Sequence, residues 1–208
     1  MSPEYTILET LAPPLPPQLY ALVLAAGASS RFGASKQLQA FHGQPLVRRA
    51  MRLAESCCGG SSVLVTGSHW REVLQAAAPL RGFFVHNDRF RLGMASSIAS
   101  GVQAVSESAD GVLLLLADQP LIDKNHLTAM IDEWTGAPER IVATAYAGTV
   151  GPPVILPRTC FAELRALTGD RGARSVLQRH AAAITSIAFE DAAADIDTPQ
   201  DLEGLRQR

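Results

Sequence analysis

The chain has 208 residues, 18 basic and 20 acidic side chains, a formal net charge of −2, and 47% hydrophobic residues. That length and apolar content support one sizeable α/β core and exclude a disordered chain. A near-neutral balance also withholds the clustered basic charge that a nucleic-acid backbone requires.

Residues 1–18 contain Pro13-Pro14-Leu15-Pro16-Pro17 and read as an extended arm, with 19–208 as one domain. Leu19 to Ala25 reads as a strand, and Pro45 to Ser56 as a helix with Pro45 at its first position. A strand over Ser62 to Thr66, a helix over Trp70 to Ala78 and a strand over Phe83 to His86 follow. Met94 to Val105 is helical, and Gly111 to Ala117 is an apolar strand. Lys124 to Trp134 is a helix capped by Asp123. Strands are expected over Arg140 to Tyr146, Pro153 to Leu156 and Ile184 to Phe189, and helices over Thr159 to Leu167 and Ala173 to His180. Thr198 caps a last helix with Pro199 at its first position. Alternating βα units with strands apolar on both sides predict a three-layer α/β/α fold around a mainly parallel sheet. Ligands in such sheets bind beyond the carboxyl ends of the strands, which directs attention to the residues after Ala25 and after Ala117.

No basic residue precedes Arg31, so no secretory leader is expected. The longest apolar runs, Tyr20 to Ala26 and Val112 to Ala117, fall far short of the ~20 residues a bilayer needs. The three cysteines, Cys57, Cys58 and Cys160, have neither disulfide nor metal spacing. A cytoplasmic protein with reduced, buried thiols is the expectation.

The loop after the first strand runs Leu24-Ala25-Ala26-Gly27-Ala28-Ser29-Ser30-Arg31-Phe32-Gly33-Ala34-Ser35-Lys36. Its small side chains let a polyanion approach backbone N–H groups, and Arg31 and Lys36 add two cations. These features suit a di- or triphosphate; a tight structural connection would use the same glycines. The spacing is neither that of a P-loop nor GxGxxG. All but two of the 18 basic residues are Arg, and Lys36 is one of the two exceptions, Lys124 the other.

The most apolar strand ends in Asp118-Gln119-Pro120. A carboxylate there is costly unless paired or bound to a metal. A hard oxygen beside a polyphosphate is what Mg²⁺ takes. Capping of the following turn is the competing role.

Leu-Ala-Ala-Gly-x-Ser-x-Arg-x-Gly-x-x-Lys resembles the signature of the MobA-like nucleotidyltransferases, and within them the molybdenum cofactor cytidylyltransferase branch. Further motifs follow in family order over roughly Leu19 to Leu205. The resemblance implies that Leu24, Ala25, Ala26, Gly27, Arg31 and Lys36 grip the phosphates of an NTP, with Arg31 and Lys36 stabilising departing pyrophosphate. Ala25-Ala26-Gly27 looks like the cytidylyl version, which points to CTP. Asp118 matches the family's metal motif, and Asp197, in Asp195-Ile196-Asp197-Thr198-Pro199, is the second candidate ligand. Asp201 fits a capping carboxylate. Asn87 and Ser97 resemble the stretch that reads base or ribose. Gly151 lies where relatives carry Gly-His-Pro-Val, but Pro152 replaces the His and removes a donor. Asp170, Arg171 and Arg174 match Gly-Asp-x-Gly-Ala-Arg and are candidates to hold an acceptor phosphate.

The combined expectation is a Mg²⁺-dependent enzyme with catalytic residues Arg31, Lys36 and Asp118. It would transfer CMP from CTP to a molybdopterin-type acceptor, with transient contact to a molybdoenzyme or its chaperone and no nucleic acid or membrane. The same fold working on another base or acceptor, such as a sugar phosphate or methylerythritol phosphate, is the rival reading. A non-catalytic cofactor-delivery module is the rival from another class.

Overall fold

Successive side chains of the first strand enter two different cores, which is why its sequence shows no polar alternation. Leu22 and Leu24 face one layer of helices; Ala21, Val23 and Ala25 face the other. The computed structural model describes residues 16–27, 29, 32–79, 81–105 and 107–207. Most of the expected proline-rich arm, and Arg31 in the first loop, lie outside the described residues.

The strands are β1 (Leu19–Ala25), the short pair β2 (Ala40–Phe41) and β3 (Gln44–Pro45), β4 (Ser62–Thr66), β5 (Phe83–His86), β6 (Gly111–Leu116), β7 (Ile141–Tyr146), β8 (Thr149–Pro157) and β9 (Ile184–Ala188). The helices are α1 (Leu46–Cys58), α2 (Trp70–Ala77), α3 (Met94–Ala104), α4 (Lys124–Gly136), α5 (Phe161–Arg165), α6 (Arg174–Arg179) and α7 (Pro199–Arg206). Seven strands form one sheet in the order β5-β4-β1-β6-β8-β7-β9, and β8 is antiparallel to both its neighbours while the other pairings are parallel. One core contains buried residues of α3, α5 and α6, the other those of α1, α2 and α4. A third cluster joins Phe41 and Leu46 to Ile196, Leu202 and Leu205, seating α7 beside the β2–β3 hairpin. No helix among the described residues is long and apolar enough to cross a membrane.

The three-layer, mainly parallel expectation holds, with local corrections. Pro45 is not the first residue of α1. Its ψ of 139° keeps it extended as the N-cap, and it pairs with Ala40 in a hairpin that the sequence reading did not include. The helix expected over Thr159 to Leu167 shortens to α5, preceded by a 3₁₀ turn over Arg158–Cys160. The strand expected at Pro153 to Leu156 is the end of the nine-residue β8. A two-residue turn, Ala147-Gly148, joins β7 to β8 with φ of 46° and 71°, the sign that hairpin turns require at both positions.

Proline inside a central strand is ordinarily excluded, because each ladder position needs an N–H. Here Ala143 pairs with Val154 but Thr144 pairs with Gly151, so Pro152 and Pro153 are bulged out of the ladder. Side chains then take the bulge's carbonyls. Thr144 donates to the Pro153 carbonyl at 2.7 Å, and Gln119 donates through Nε2 to the Pro152 carbonyl at 3.2 Å. With its own hydrogen committed, Thr144 accepts from His126 Nε2 at 2.8 Å, deep in the structure. Burial holds His126 below its ordinary pKa, which keeps the ring neutral in this role.

Replacing Thr144 by the near-isosteric Val strands a buried imidazole N–H and a buried carbonyl, and should cost about 1–3 kcal/mol of stability in urea denaturation. A loss below about 0.5 kcal/mol would show that the bulge does not depend on this network.

Candidate active site

The parallel strands β1 and β6 are neighbours at the centre of the sheet, and the chain leaves their carboxyl ends in opposite directions. That is the position at which α/β sheets open a crevice. A cleft of about 720 Å³ lies there, lined among others by Gly27, Lys36, Phe90, Ser97, Asp118 and Asp170.

The first loop is braced from inside. Gln37, almost fully buried, donates through Nε2 to the Gly27 carbonyl at 3.0 Å and accepts through Oε1 from Ser35 at 2.9 Å and Ser29 at 3.2 Å. Ser29 Oγ in turn accepts from the Lys36 backbone N–H at 3.1 Å. Gln37 carried no signal as a binding residue; its position beside Lys36 was the only cue.

Lys36 Nζ lies 2.6 Å from Asp118 Oδ2 and 2.8 Å from Asp197 Oδ1, with only 12% of its side chain exposed. Burial pulls the lysine pKa down, but the charges and hydrogen bonds of Asp118 and Asp197 outweigh it and raise the net value. The ammonium is therefore firmly charged. Asp118 Oδ1 is buried without a hydrogen-bond partner among the described residues, leaving one lone-pair face of that carboxylate unused.

A single backbone bond brings the distant carboxylates to this strand end. Ile196 N–H donates to the Asp118 carbonyl at 3.0 Å, and the Ile196 side chain is fully buried in the third cluster. The residues either side, Asp195 and Asp197, are thus held near Asp118. Asp201 takes the capping role expected of it: its Oδ2 accepts from the Asp197 and Thr198 N–H groups, while Thr198 Oγ1 accepts from Asp201 N–H. Burial of its inner side, with repulsion from Asp118, pushes Asp195 up to about 6, against the opposing pull of Lys36.

The structure sorts the sequence-derived candidates. Leu24, Ala26, Gly27, Lys36, Ser97 and Asp118 share the cleft. Ala25, expected at the nucleotide, points into the core instead, because it lies on the opposite face of β1 from Leu24. Asn87 is buried and spends its amide on Ser96 and Ser97, at 2.9 and 3.0 Å, and on the Arg89 N–H. It sets the position of Ser97 rather than lining the cleft. Asp170, expected at the acceptor, lies in the same cleft as Lys36, because the Gly169-Asp170 turn docks on the start of α3 through Ala95 N–H to Gly169 carbonyl at 3.1 Å. Gly93 is needed at that contact, since a Cβ would stand 2.1 Å from Asp170 Oδ1. Arg91 also lines the cleft, over the Phe90 ring.

The remaining acceptor candidates lie apart from this cleft. Arg174 lines a separate cavity of about 280 Å³ with Thr149 and Val150. Arg171 is exposed. Gly151 is buried because the Tyr146 hydroxyl rests on it; a Cβ there would come within 2.4 Å of that oxygen. Tyr146 was missed by the sequence reading, which saw only a strand residue. Burial and Asp195 raise its pKa, while the nearby Gln119 side chain and the charge of Arg174 oppose the rise. Tyr146 therefore feels both Asp195 and Arg174.

Comparison with known proteins gives the family. The MobA-like NTP transferase domain matches residues 21–184, most of the chain and the residues that line the cleft. The chain belongs to the MobA-like NTP transferase family. It is 30% identical over 203 residues to the purine catabolism protein PucB of Bacillus subtilis, covering 92% of this chain and 97% of that protein. A probable molybdenum cofactor guanylyltransferase of Trichormus variabilis is 27% identical over 189 residues, covering 88% of each. Rv0371c of Mycobacterium tuberculosis superposes with a TM-score of 0.81 at 27% identity, over 93% of this chain and 100% of that one. A second structure of Rv0371c is a complex with manganese, with a TM-score of 0.74 at 26% identity, over 91% of this chain and 98% of that one. This MobA-like protein is thus a nucleotidyltransferase by family.

The raised pKa of Asp195 has a signed consequence for stability. A carboxyl that binds its proton more tightly when folded adds stability below its unfolded value, and loses that contribution as pH rises through about 6. In chelator-treated protein, Asp195→Asn should therefore be more stable than wild type at pH 8 by about 1 kcal/mol, reduced from a dry-site value by solvent contact. The gap should close between pH 6 and pH 4 in thermal melts. A pH-independent gap would mean that Asp195 is not crowded by its neighbours.

Proposed function

We propose that this MobA-like protein transfers CMP from CTP to the phosphate of a molybdopterin-type cofactor and releases pyrophosphate. The observation that carries the reading is the Lys36 ammonium held between Asp118 and Asp197 at the mouth of a cleft floored by the Gly27 loop. A cation for departing phosphates and a pair of carboxylates for a divalent ion stand at one strand end. Such chemistry requires positioning and charge stabilisation more than covalent participation.

In the reaction, an oxygen of the acceptor phosphate attacks the α-phosphorus of CTP and the bond to pyrophosphate breaks. Lys36, the backbone N–H groups of the Gly27 loop and Arg31 receive the negative charge that leaves. Ser97, set by Asn87, faces the nucleoside side of the cleft together with Phe90 and Arg91. Tyr146 and Arg174, beyond the carboxylates, hold the acceptor. Asp170 serves the nucleotide side of the cleft in this reading. Hard carboxylate oxygens, one of them buried and unpartnered, fit Mg²⁺ or Mn²⁺. Asp118 and Asp197 would hold that ion, which supplies charge neutralisation at the α-phosphate.

The choice of CTP rests on Ala25-Ala26-Gly27 and its resemblance to the cytidylyl branch. A guanylyl reading is favoured by the Trichormus variabilis relative. Pyrophosphate release from CTP and GTP, each with Mg²⁺ and molybdopterin cofactor, separates the two: faster release from GTP overturns the cytidylyl assignment. With the preferred nucleotide, Lys36→Ala should lower kcat by about 10²-fold or more, as expected for loss of a charge aimed at the leaving group. Lys124→Ala, on the exposed first turn of α4, should leave kcat within about twofold. Equal effects would remove Lys36 from the chemistry.

A further inference from the structure

Lys36 occupies both carboxylates that a divalent ion would use. Its Nζ is within hydrogen-bonding distance of Asp118 Oδ2 and Asp197 Oδ1 at once, at 2.6 and 2.8 Å. Asp195 adds a third carboxylate to the same neighbourhood. Gathering like charges where solvent is partly excluded is unfavourable unless a cation compensates them. The lysine is that cation, and only 12% of its side chain reaches solvent.

A divalent ion on these carboxylates, whether on the paired oxygens or on the unpartnered Asp118 Oδ1, would lie within a few ångströms of the ammonium, and the two positive charges would repel. The ion and the ammonium therefore exclude one another at Asp118 and Asp197. A triphosphate in the cleft changes the balance, because Lys36 also lines that cleft and can turn to the phosphates without losing a counter-charge.

We infer that Lys36 is the placeholder cation of the metal site, exchanging with a divalent ion so that metal binds well only when nucleotide draws the lysine away. This deepens, and rests on, the nucleotidyltransferase reading of the site. The carboxylates then never stand uncompensated. Metal and nucleotide load together, because each relieves an obstacle to the other, which is a coupling free energy between two ligands. Lys36 acts here as a positioning residue toward the metal, in addition to its contact with phosphates. The loop geometry supports the movement: its backbone is anchored by Ser29 and Gln37 through Lys36 N–H, Gly27 carbonyl and Ser35, so the side chain can swing while the loop stays in place.

The presence of only two lysines, Lys36 and exposed Lys124, makes the exchange directly readable. Chelator-treated wild type is labelled with acetic anhydride and each lysine is quantified by mass spectrometry. Lys36 should react about tenfold more slowly than Lys124 without ligand, through its burial and pairing. Millimolar Mn²⁺ alone should raise Lys36 labelling several-fold and leave Lys124 unchanged, through displacement of the ammonium. In parallel, free Mn²⁺ is followed by electron paramagnetic resonance. Lys36→Met should bind Mn²⁺ about tenfold more tightly than wild type without nucleotide, and CTP should tighten Mn²⁺ less in the variant than in wild type. Equal labelling of the two lysines, no response of Lys36 to Mn²⁺, or equal Mn²⁺ affinity in wild type and variant would each overturn the exchange. Pyrophosphate release by wild type is measured alongside. Its absence would sink the functional reading, whereas normal release with no lysine–metal exclusion would sink the exchange alone.

Discussion

Two carboxylates meet at one end of this sheet, with Asp195 near enough to feel their charge, and they can do so because a buried ammonium lies between them. Lys36 contacts Asp118 and Asp197 directly and lowers the charge that Asp195 feels. Without it, Asp118, at the carboxyl end of the most apolar strand, would be a carboxylate with little water and no partner. The salt-bridged cluster is a poor device for stability, since desolvation offsets much of its Coulomb energy. Its value lies in what it keeps available: charge that can be rearranged when a polyanion arrives.

Much of the fold works to assemble that cluster from three distant parts of the chain. β6 delivers Asp118 and β1 delivers the loop that leads to Lys36. The Ile196–Asp118 backbone bond delivers Asp195 and Asp197 across a long sequence separation. α7, closed by the Thr198–Asp201 capping box, then fixes the exit of that segment. The bulge in β8 serves the same end. By lifting Pro152 and Pro153 out of the ladder, it offers a carbonyl to Gln119, the residue after Asp118, and lets Gly151 seat the Tyr146 hydroxyl. A proline pair that looks disruptive in sequence is accommodated where the ladder needs no donor.

Two cavities gather the remaining candidate residues. One is the cleft between β1 and β6, where Gly27, Ser97 and Asp170 face Lys36. The other is lined by Arg174, toward β8 and α6. In-line transfer at phosphorus sets the attacking oxygen opposite the leaving group, and separate cavities on the molecule are compatible with that geometry. The manganese complex of Rv0371c is a structure of a relative that shares this fold over nearly the whole chain.

The sequence by itself determined the layered α/β architecture, because strands apolar on both faces leave few alternatives to a covered parallel sheet. It also determined the phosphate-type loop, the strand-end Asp118 and the capping box at Thr198, since each depends on residues close together in the chain. Tertiary structure alone decided that Asp197 closes on Lys36, that Asp170 shares the cleft with Lys36, that Ala25 faces the core, and that Asn87 supports Ser97 instead of lining the cleft. It also decided that Gln37 and Tyr146 matter at all. The reason is physical: a motif shows which chemical groups are present, but side-chain direction depends on strand face, and long-range pairing depends on single contacts such as Ile196 N–H to Asp118 carbonyl. Neither leaves a local pattern in the residues that take part.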